Sequence, residues 1–420
     1  MNILLLGGGG REHALAWKLA QSPRLTKLWA SPGNPGIARH ATCVALALPD
    51  HSAVVAFAAE HTIDLIVIGP EAPLVDGLAD SLRAAGFAVF GPSKAAAQLE
   101  GSKGFTKDLC ARHGIPTAAF ERHVDAAAAQ LALARFGLPV VIKADGLAAG
   151  KGVTVATSVG EAEAAVDALF EEAGAAVVIE AFLDGEEVSL FALTDGVTVV
   201  PFGTAQDHKR IGDGDTGPNT GGMGAYSPAS VLTPVLEARA MAEIVLPTIA
   251  AMAAEGTPFS GVLYAGLMLT AQGPQLIEYN VRFGDPEAQV LMTRFDGDLA
   301  VLLDAVARER LADAEVPQFS DDYAVAVVLA ASGYPGTPRL GDHPAGIARA
   351  EAKAHVFVAG LEQTGDAWVT SGGRVLAVVA DASTIDEARC RAYDGLAEIN
   401  LSQGQFRTDI GWREVQRTQS

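Results

Sequence analysis

The sequence predicts an α/β protein in three parts: a Rossmann-like parallel N-terminal sheet, a central two-part domain and a small C-terminal α+β domain. Three observations carry this. Strand and helix patterns alternate through roughly the first hundred residues with short loops between them, as βαβ units do. The pattern then changes to hairpins and one long aperiodic segment, and a strand-then-helix pattern returns near the end. A chain of 420 residues, 49% hydrophobic and only 19% charged, can bury more than one core and is not disordered.

The elements follow in order. Ile3 to Leu6 is a short apolar run ending in glycines, which reads as a buried strand, and Arg11 to Ala20 reads as a helix. Weaker strands are expected at Leu28 to Ala30 and Cys43 to Leu46, and clear ones at Leu65 to Ile68 and Ala88 to Phe90. Ligands of parallel sheets bind beyond the carboxyl ends of the strands. Those ends are Gly7–Gly10, Ser31–Gly36, Gly69–Pro73 and Gly91–Ser93, so residues 1–101 are assigned to an N-terminal substrate-binding domain.

A helix from Ser102 through Cys110 opens the central domain, residues 102–319, with a flap subdomain at about 117–190. Strands are expected at Pro139 to Ala144, Val153 to Ala156 and Val177 to Glu180. A hairpin turns about Asp195-Gly196. Asp207 to Tyr226 has no periodicity and is dense in Gly, Asp, Lys and Arg, which reads as a functional loop or a disordered segment. Tyr323 to Ala331, Arg374 to Val379 and the helical Thr384 to Ile399 define a C-terminal domain, residues 320–420.

A formal charge of −20 argues against nucleic-acid or anionic-membrane partners, which need a basic surface. Cys43, Cys110 and Cys390 are widely spaced and include no CxxC pair, as suits reduced thiols in a cytoplasmic protein. There is no signal peptide pattern and no apolar run long enough to span a bilayer.

The stretch from Gln275 to Glu287 carries the most chemistry. Alternate strand residues share a face, so Glu278, Asn280 and Arg282 are expected to project together. A carboxylate and a carboxamide oxygen suit Mg²⁺, which completes its shell with waters and substrate phosphates, and a guanidinium forks onto phosphate. The alternative, a solvated strand face, fits poorly with the flanking apolar residues and the Phe283-Gly284-Asp285-Pro286 turn.

Two glycine-rich loops differ in kind. Gly7 to His13 lies between a strand and a helix and offers amides to an anion. It lacks the third glycine and the ribose-binding acid of a dinucleotide fingerprint, so a nicotinamide site is not expected. The second, Lys143 to Val153, is followed by a strand pattern and not by a helix, and Gly152 stands where a P-loop has Ser or Thr. It reads as a hairpin flap closing over a triphosphate, with Lys143 reaching the inner phosphates. Val177 to Leu183 followed by Asp184 to Glu187 could be a hinge that takes adenine through backbone groups and ribose through a carboxylate.

In this order, the lysine strand, glycine flap, acidic hinge and Glu-x-Asn strand resemble the ATP-grasp superfamily. Gly9–Ala14, Gly69–Leu74, Ile142–Val153, Gln206–Arg210, Asp215–Tyr226 and Arg282–Glu287 resemble, more closely, the phosphoribosylamine–glycine ligase family (glycinamide ribonucleotide synthetases) over essentially the whole chain. The resemblance implies a pre-ATP-grasp N-terminal domain, a central ATP-grasp domain and ATP-dependent ligation of glycine to 5-phosphoribosylamine through a glycyl phosphate. It implies ATP as co-substrate and Mg²⁺ or Mn²⁺ held by Glu278 and Asn280. Lys107, Lys143, Gly150, Lys151 and Gly152 would hold the phosphates, Glu180, Phe182 and Leu183 adenine, and Glu187 the ribose. Gly9, Gly10, Arg11, Glu71, Asp207 and Arg282 would bind substrates, with Arg282, Asp207, Lys209 and Asp285 catalytic.

The protein is expected to act on small molecules, as a monomer. The strand Leu263 to Leu269 lacks the extra metal-binding acid of many ATP-grasp enzymes. His13 and His208 are assigned structural roles, since the chemistry needs no imidazole. A carboxylase or formyltransferase of the same superfamily and a non-catalytic ATP sensor are the rival readings.

Overall fold

The apolar run at the N-terminus forms the centre of a five-stranded parallel sheet in a computed structural model that describes residues 1–147 and 152–419. Its strands are β1 (Asn2–Gly7), β2 (Lys27–Pro32), β3 (Thr42–Cys43), β4 (Leu65–Ile68) and β5 (Ala88–Phe90), in the order β3-β2-β1-β4-β5. Ile3 to Leu6 are fully buried because helices cover both faces of such a sheet. The expected strand from Cys43 to Leu46 stops at Cys43. Among the described residues it is an edge strand that pairs with β2, at Thr42 and Cys43.

β1 ends at Gly7, whose φ of +126° turns the chain into the helix Gly10–Leu19. A Cβ at Gly7 or Gly69 would lie within 2.5 Å of the Glu12 side chain, so both glycines make room for that carboxylate. Glu12 in turn accepts the Gly9 N–H at 2.7 Å and closes the helix N-terminus.

The flap subdomain is a four-stranded antiparallel sheet of β6 (Phe120–His123), β7 (Val140–Ala144), β8 (Val153–Ala156) and β9 (Val177–Ala181), in the order β6-β9-β7-β8. Two helices, Ala126–Phe136 and Val159–Phe170, pack on it and enclose a small separate core that includes Leu133, Ile142, Val166 and Ile179. Gly150 and Lys151 lie outside the described residues, between β7 and β8.

The largest sheet has eight antiparallel strands and crosses the expected boundary at residue 320. Its strands include β10 (Glu186–Thr194), β11 (Val199–Asp207), β14 (Gly224–Ser227), β15 (Gly261–Thr270) and β16 (Gly273–Asn280). β17 (Tyr323–Ala330), β18 (His355–Val358) and β21 (Arg374–Ala382) complete it, and the order is β16-β15-β10-β11-β14-β17-β21-β18. A side hairpin of β19 (Leu361–Thr364) and β20 (Ala367–Thr370) precedes β21. The C-terminal part therefore has its own core around Val327, Val378 and Leu396, yet continues the central sheet by hydrogen bonds between β14 and β17.

The aperiodic segment is more ordered than its composition implies. It forms a hairpin, β12 (Arg210–Gly212) and β13 (Thr216–Asn219), and then joins the large sheet as β14. Glycine-rich strands carry no side-chain periodicity, and backbone bonds such as His208 N–H to Gly224 O at 2.9 Å set the register instead. Arg407, fully buried, fastens the hairpin through Asp215 at 2.8 Å and braces itself on Asp409 at 2.7 Å. His208 is also buried, and its Nε2 accepts the Gly411 N–H at 3.2 Å. Burial, with Arg407 beside it, holds its pKa down at about 3. His13 accepts the Val358 N–H at 2.7 Å and ties the first helix to β18. Both imidazoles serve the fold.

Among the described residues no helix is long and apolar enough to cross a membrane. Cys43, Cys110 and Cys390 are free thiols.

Behind the Phe283–Pro286 turn, Phe202 is fully buried against Phe283, Phe295 and Phe319, with ring centroids 5.1–5.6 Å apart. Phe202→Ala is expected to cost about 3–5 kcal/mol of stability, the usual range for emptying a buried aromatic site, measured by urea unfolding.

Candidate active site

All three parts of the chain face one cleft of about 830 Å³. Of the described residues with an expected site role, all but Gly9 and Gly10 line it. Those two glycines sit behind the wall, where a Cβ on Gly10 would lie 2.7 Å from Gln289 Nε2.

At one end, Lys107 from the helix Lys103–His113 and Lys143 from β7 converge on Glu180 of β9. Each ammonium lies 2.8 Å from one carboxylate oxygen, and all three side chains are almost fully buried. Thr117 Oγ1 accepts from Lys107 at 2.6 Å and donates to Leu276 O at 2.7 Å. Burial pulls the Lys107 pKa down, with the Glu180 charge opposing. The Glu180 carboxylate is thus committed to the two lysines, and beyond it Ala181, Phe182 and Leu183 line the cleft. Glu187 likewise is ion-paired with Lys209.

Glu278 and Asn280 of β16 reach the cleft, while the Tyr279 hydroxyl points to the other side, 2.5 Å from Thr248 Oγ1. The strand ends at Asn280, so Arg282 enters from the following turn and not from the strand face itself. Burial would raise the Glu278 carboxyl, but Lys209, Lys143, Lys103 and Arg282 outweigh it and hold it below the usual range. Among the described residues no cluster of three His, Cys, Asp or Glu could cage a metal. One carboxylate and one carboxamide oxygen suit a hard cation that takes its remaining ligands from water and phosphate.

Asp207 ends β11 at the seam with β14, opposite Ala225. Burial first, then the nearby Glu287 and Glu187, push its pKa up to about 8 against the pull of Lys209. Lys209 itself is raised well above the ordinary lysine value, since Glu187 and Asp207 outweigh its burial. Next to this group, Tyr264 of β15 donates to Glu287 Oε1 and accepts from Ser189, both at 2.8 Å.

At the far end, Arg282 lies between Glu71 at 3.2 Å and Glu100 at 3.0 Å. Arg11 donates to Phe283 O at 3.0 Å and to Glu12 at 2.6 Å. Asp285 receives the backbone N–H of Arg11, the Gln289 amide at 2.8 Å and the Arg374 guanidinium at 3.3 Å. The helix N-terminus read from sequence as an anion site thus already faces a carboxylate of the chain itself. Burial opposes its charge, yet Arg374 and Arg11 keep the Asp285 carboxyl below the usual range.

Models of the phosphoribosylglycinamide synthetase N domain, ATP-grasp (A) domain and C domain match residues 1–100, 101–288 and 324–413. Proteins of Mesorhizobium japonicum and Agrobacterium fabrum named phosphoribosylamine–glycine ligase are each 59% identical to this chain over 99% of both lengths. The chain belongs to the phosphoribosylamine–glycine ligase family.

The crystal structure of a phosphoribosylamine–glycine ligase from Thermotoga maritima is similar to it with a TM-score of 0.83 at 33% identity, covering 97% of this chain and all (100%) of that one. An ADP complex of an N5-carboxyaminoimidazole ribonucleotide synthetase shares the fold alone, with a TM-score of 0.66 at 17% identity over 94% of this chain and 96% of that one. This ligase is therefore an ATP-dependent carbon–nitrogen ligase of purine biosynthesis that works with a divalent metal.

Sequence reasoning missed Glu100, Tyr264, Glu287 and Arg374 in the ligase cleft. Glu287 lay inside the recognised Arg282–Glu287 motif, and its position next to that turn was a usable signal. Glu100 and Arg374 are remote in sequence from what they touch and gave none.

Asp207 provides a pH test. Its folded pKa lies above the unfolded value of about 4, so its favourable contribution is complete below that pH and is lost as pH rises toward about 8. Asp207→Asn should flatten the fall in Tm over this window. A pH–Tm curve parallel to that of the wild type would contradict the assignment.

Proposed function

We propose that this cleft joins glycine to 5-phosphoribosylamine by way of a glycyl phosphate, giving glycinamide ribonucleotide, ADP and phosphate. One observation carries the reading. The Glu278–Asn280 pair shares a cleft with two buried lysines at one end and with Arg11, Glu71 and Arg282 at the other. Such an arrangement can bring a triphosphate, a carboxylate and a second substrate into line.

In the first step a glycine carboxylate oxygen attacks the terminal phosphorus of ATP, and the bond to ADP breaks. Lys107 and Lys143 neutralise the ATP phosphates, and Arg282 faces the transferring group. Phosphoryl transfer needs positioning and charge stabilisation more than covalent help. Mg²⁺ or Mn²⁺ held by Glu278 and Asn280 would supply further neutralisation of phosphate oxygens. Adenine would lie against the backbone at Phe182 and Leu183, and the ribose near Glu187, whose carboxylate must exchange Lys209 for a hydroxyl. Gly150, Lys151 and Gly152 belong to the loop that would cover the phosphates.

In the second step the amine lone pair of 5-phosphoribosylamine forms the C–N bond, the acyl C–O bond breaks, and phosphate leaves with that electron pair. The nitrogen then sheds a proton. A carboxyl poised at about pKa 8, as Asp207 is, can exchange that proton near neutral pH. Arg11 and Glu71, with the Gly9-Gly10 turn behind them, would take the phosphoribosyl part, while Asp285 would face the glycine ammonium. The domain limits near residues 101 and 320 divide these duties, with the acceptor wall on the N-terminal part and nucleotide chemistry on the central part.

The test is phosphate release from ATP and Mg²⁺ with glycine, with and without fresh 5-phosphoribosylamine. Release should require both substrates. Glu278→Gln should lower kcat by about 10²–10³-fold, the scale for removing one preorganised charge-stabilising group. Release independent of glycine would overturn the substrate assignment.

A further inference from the structure

Arg374 is the first residue of β21, in the C-terminal part of the chain, yet its guanidinium reaches the cleft. Nη1 donates to Asp285 O at 2.6 Å and to Gly221 O at 2.5 Å, with Gly222 O at 3.4 Å. Nη2 faces the Asp285 carboxylate at 3.3 Å. One side chain therefore ties the Asp207–Tyr226 segment to the Phe283–Pro286 turn, and Asp285 carries the link on to the first helix through the Arg11 N–H.

The glycines opposite are shaped to this contact. A Cβ on Gly221 would lie 3.1 Å from the guanidinium carbon, and one on Gly222 would lie 2.5 Å from Pro286 Cδ. Gly222 also has φ of +112°, which side chains rarely adopt. The Gly221 N–H is held by the Tyr334 hydroxyl at 2.9 Å, so the turn is fixed from the C-terminal side at both its donor and its acceptor. With Arg374 removed, Asp285 would keep Gln289 and the Arg11 amide but lose the cation that sets the direction of its second oxygen.

We infer that Arg374 is a positioning residue for glycine binding: it acts through Asp285, aiming that carboxylate at the substrate ammonium and seating the Gly221-Gly222 turn beside it. This rests on the reading of Asp285 as the group that faces glycine. The guanidinium fork matters, since it serves a carboxylate and two carbonyls at once, which a lysine ammonium cannot do in the same geometry.

The experiment measures KM for glycine, ATP and 5-phosphoribosylamine in full-length Arg374→Ala and Arg374→Lys, with Tm recorded for each. The expected result is a glycine KM raised tenfold or more in both variants, with KM for the other two substrates within twofold of wild type. Millimolar guanidinium should restore part of the loss in Arg374→Ala. Adding Arg374→Ala to Asp285→Asn should raise the glycine KM no further, because the two act in series. If Arg374→Ala does not fold, Arg374→Lys carries the test alone, since it keeps the stem and the charge.

An unchanged glycine KM, a parallel rise in all three constants, or additivity with Asp285→Asn would overturn the inference. Wild-type protein that releases phosphate without glycine would instead overturn the reading of the site, and with it this role for Arg374.

Discussion

Two ammonium groups and one carboxylate, buried together, are the constraint on which the rest of the structure turns. Lys107, Lys143 and Glu180 come from three separate elements of the chain and leave almost no surface exposed. Removing a charge from water costs several kcal/mol unless partners repay it. Here one carboxylate serves two cations, with the Glu278 carboxylate also in the field of Lys143 and burial lowering the Lys107 pKa, so the cluster favours an anion in the cleft. The flap sheet, the helix that carries Lys107 and the strand that carries Glu278 must all meet at this place for any of the charges to be tolerated.

The same logic runs through the rest of the cleft. The chain is strongly acidic overall, with a formal charge of −20, yet its functional wall gathers Arg11, Lys103, Lys209, Arg282 and Arg374. Lys103 donates to Gly146 O at 2.9 Å, and the other four are held by acids of the chain. Arg282 has Glu71 and Glu100, and Lys209 has Asp207 and Glu187. These pairings fix the direction of the long side chains before substrates arrive, so that less order has to be created at the moment of reaction. In the proposed reaction, Glu187 would trade Lys209 for a ribose hydroxyl.

Much of this was legible in the chain, for identifiable reasons. The strands β1, β4 and β5 are runs of Ile, Leu, Val and Phe that end in glycine, and a buried parallel strand can hardly be written otherwise. The Glu278–Asn280 pair was readable because strand alternation is a local rule, and the structure does bring both residues to the cleft while the Tyr279 hydroxyl is bonded to Thr248. Asp207 to Tyr226 was readable only as important. Its glycines suppress the side-chain pattern by which a strand is recognised, and its two hairpin strands and its place in the large sheet come from backbone hydrogen bonds and from Arg407, nearly two hundred residues away.

The sequence by itself determined the family, the three-part α/β layout and most of the polar residue types that line the cleft, because these depend on local periodicity and on contiguous motifs. Only the tertiary structure decided which charges face one another. Glu180 proved to be the partner of two lysines, Asp285 proved to cap the first helix, and Glu100 and Arg374 joined the site from positions with no motif of their own. The physical reason is that an ion pair is fixed by distance in space and by shared desolvation, and neither is written in the spacing of residues along a chain.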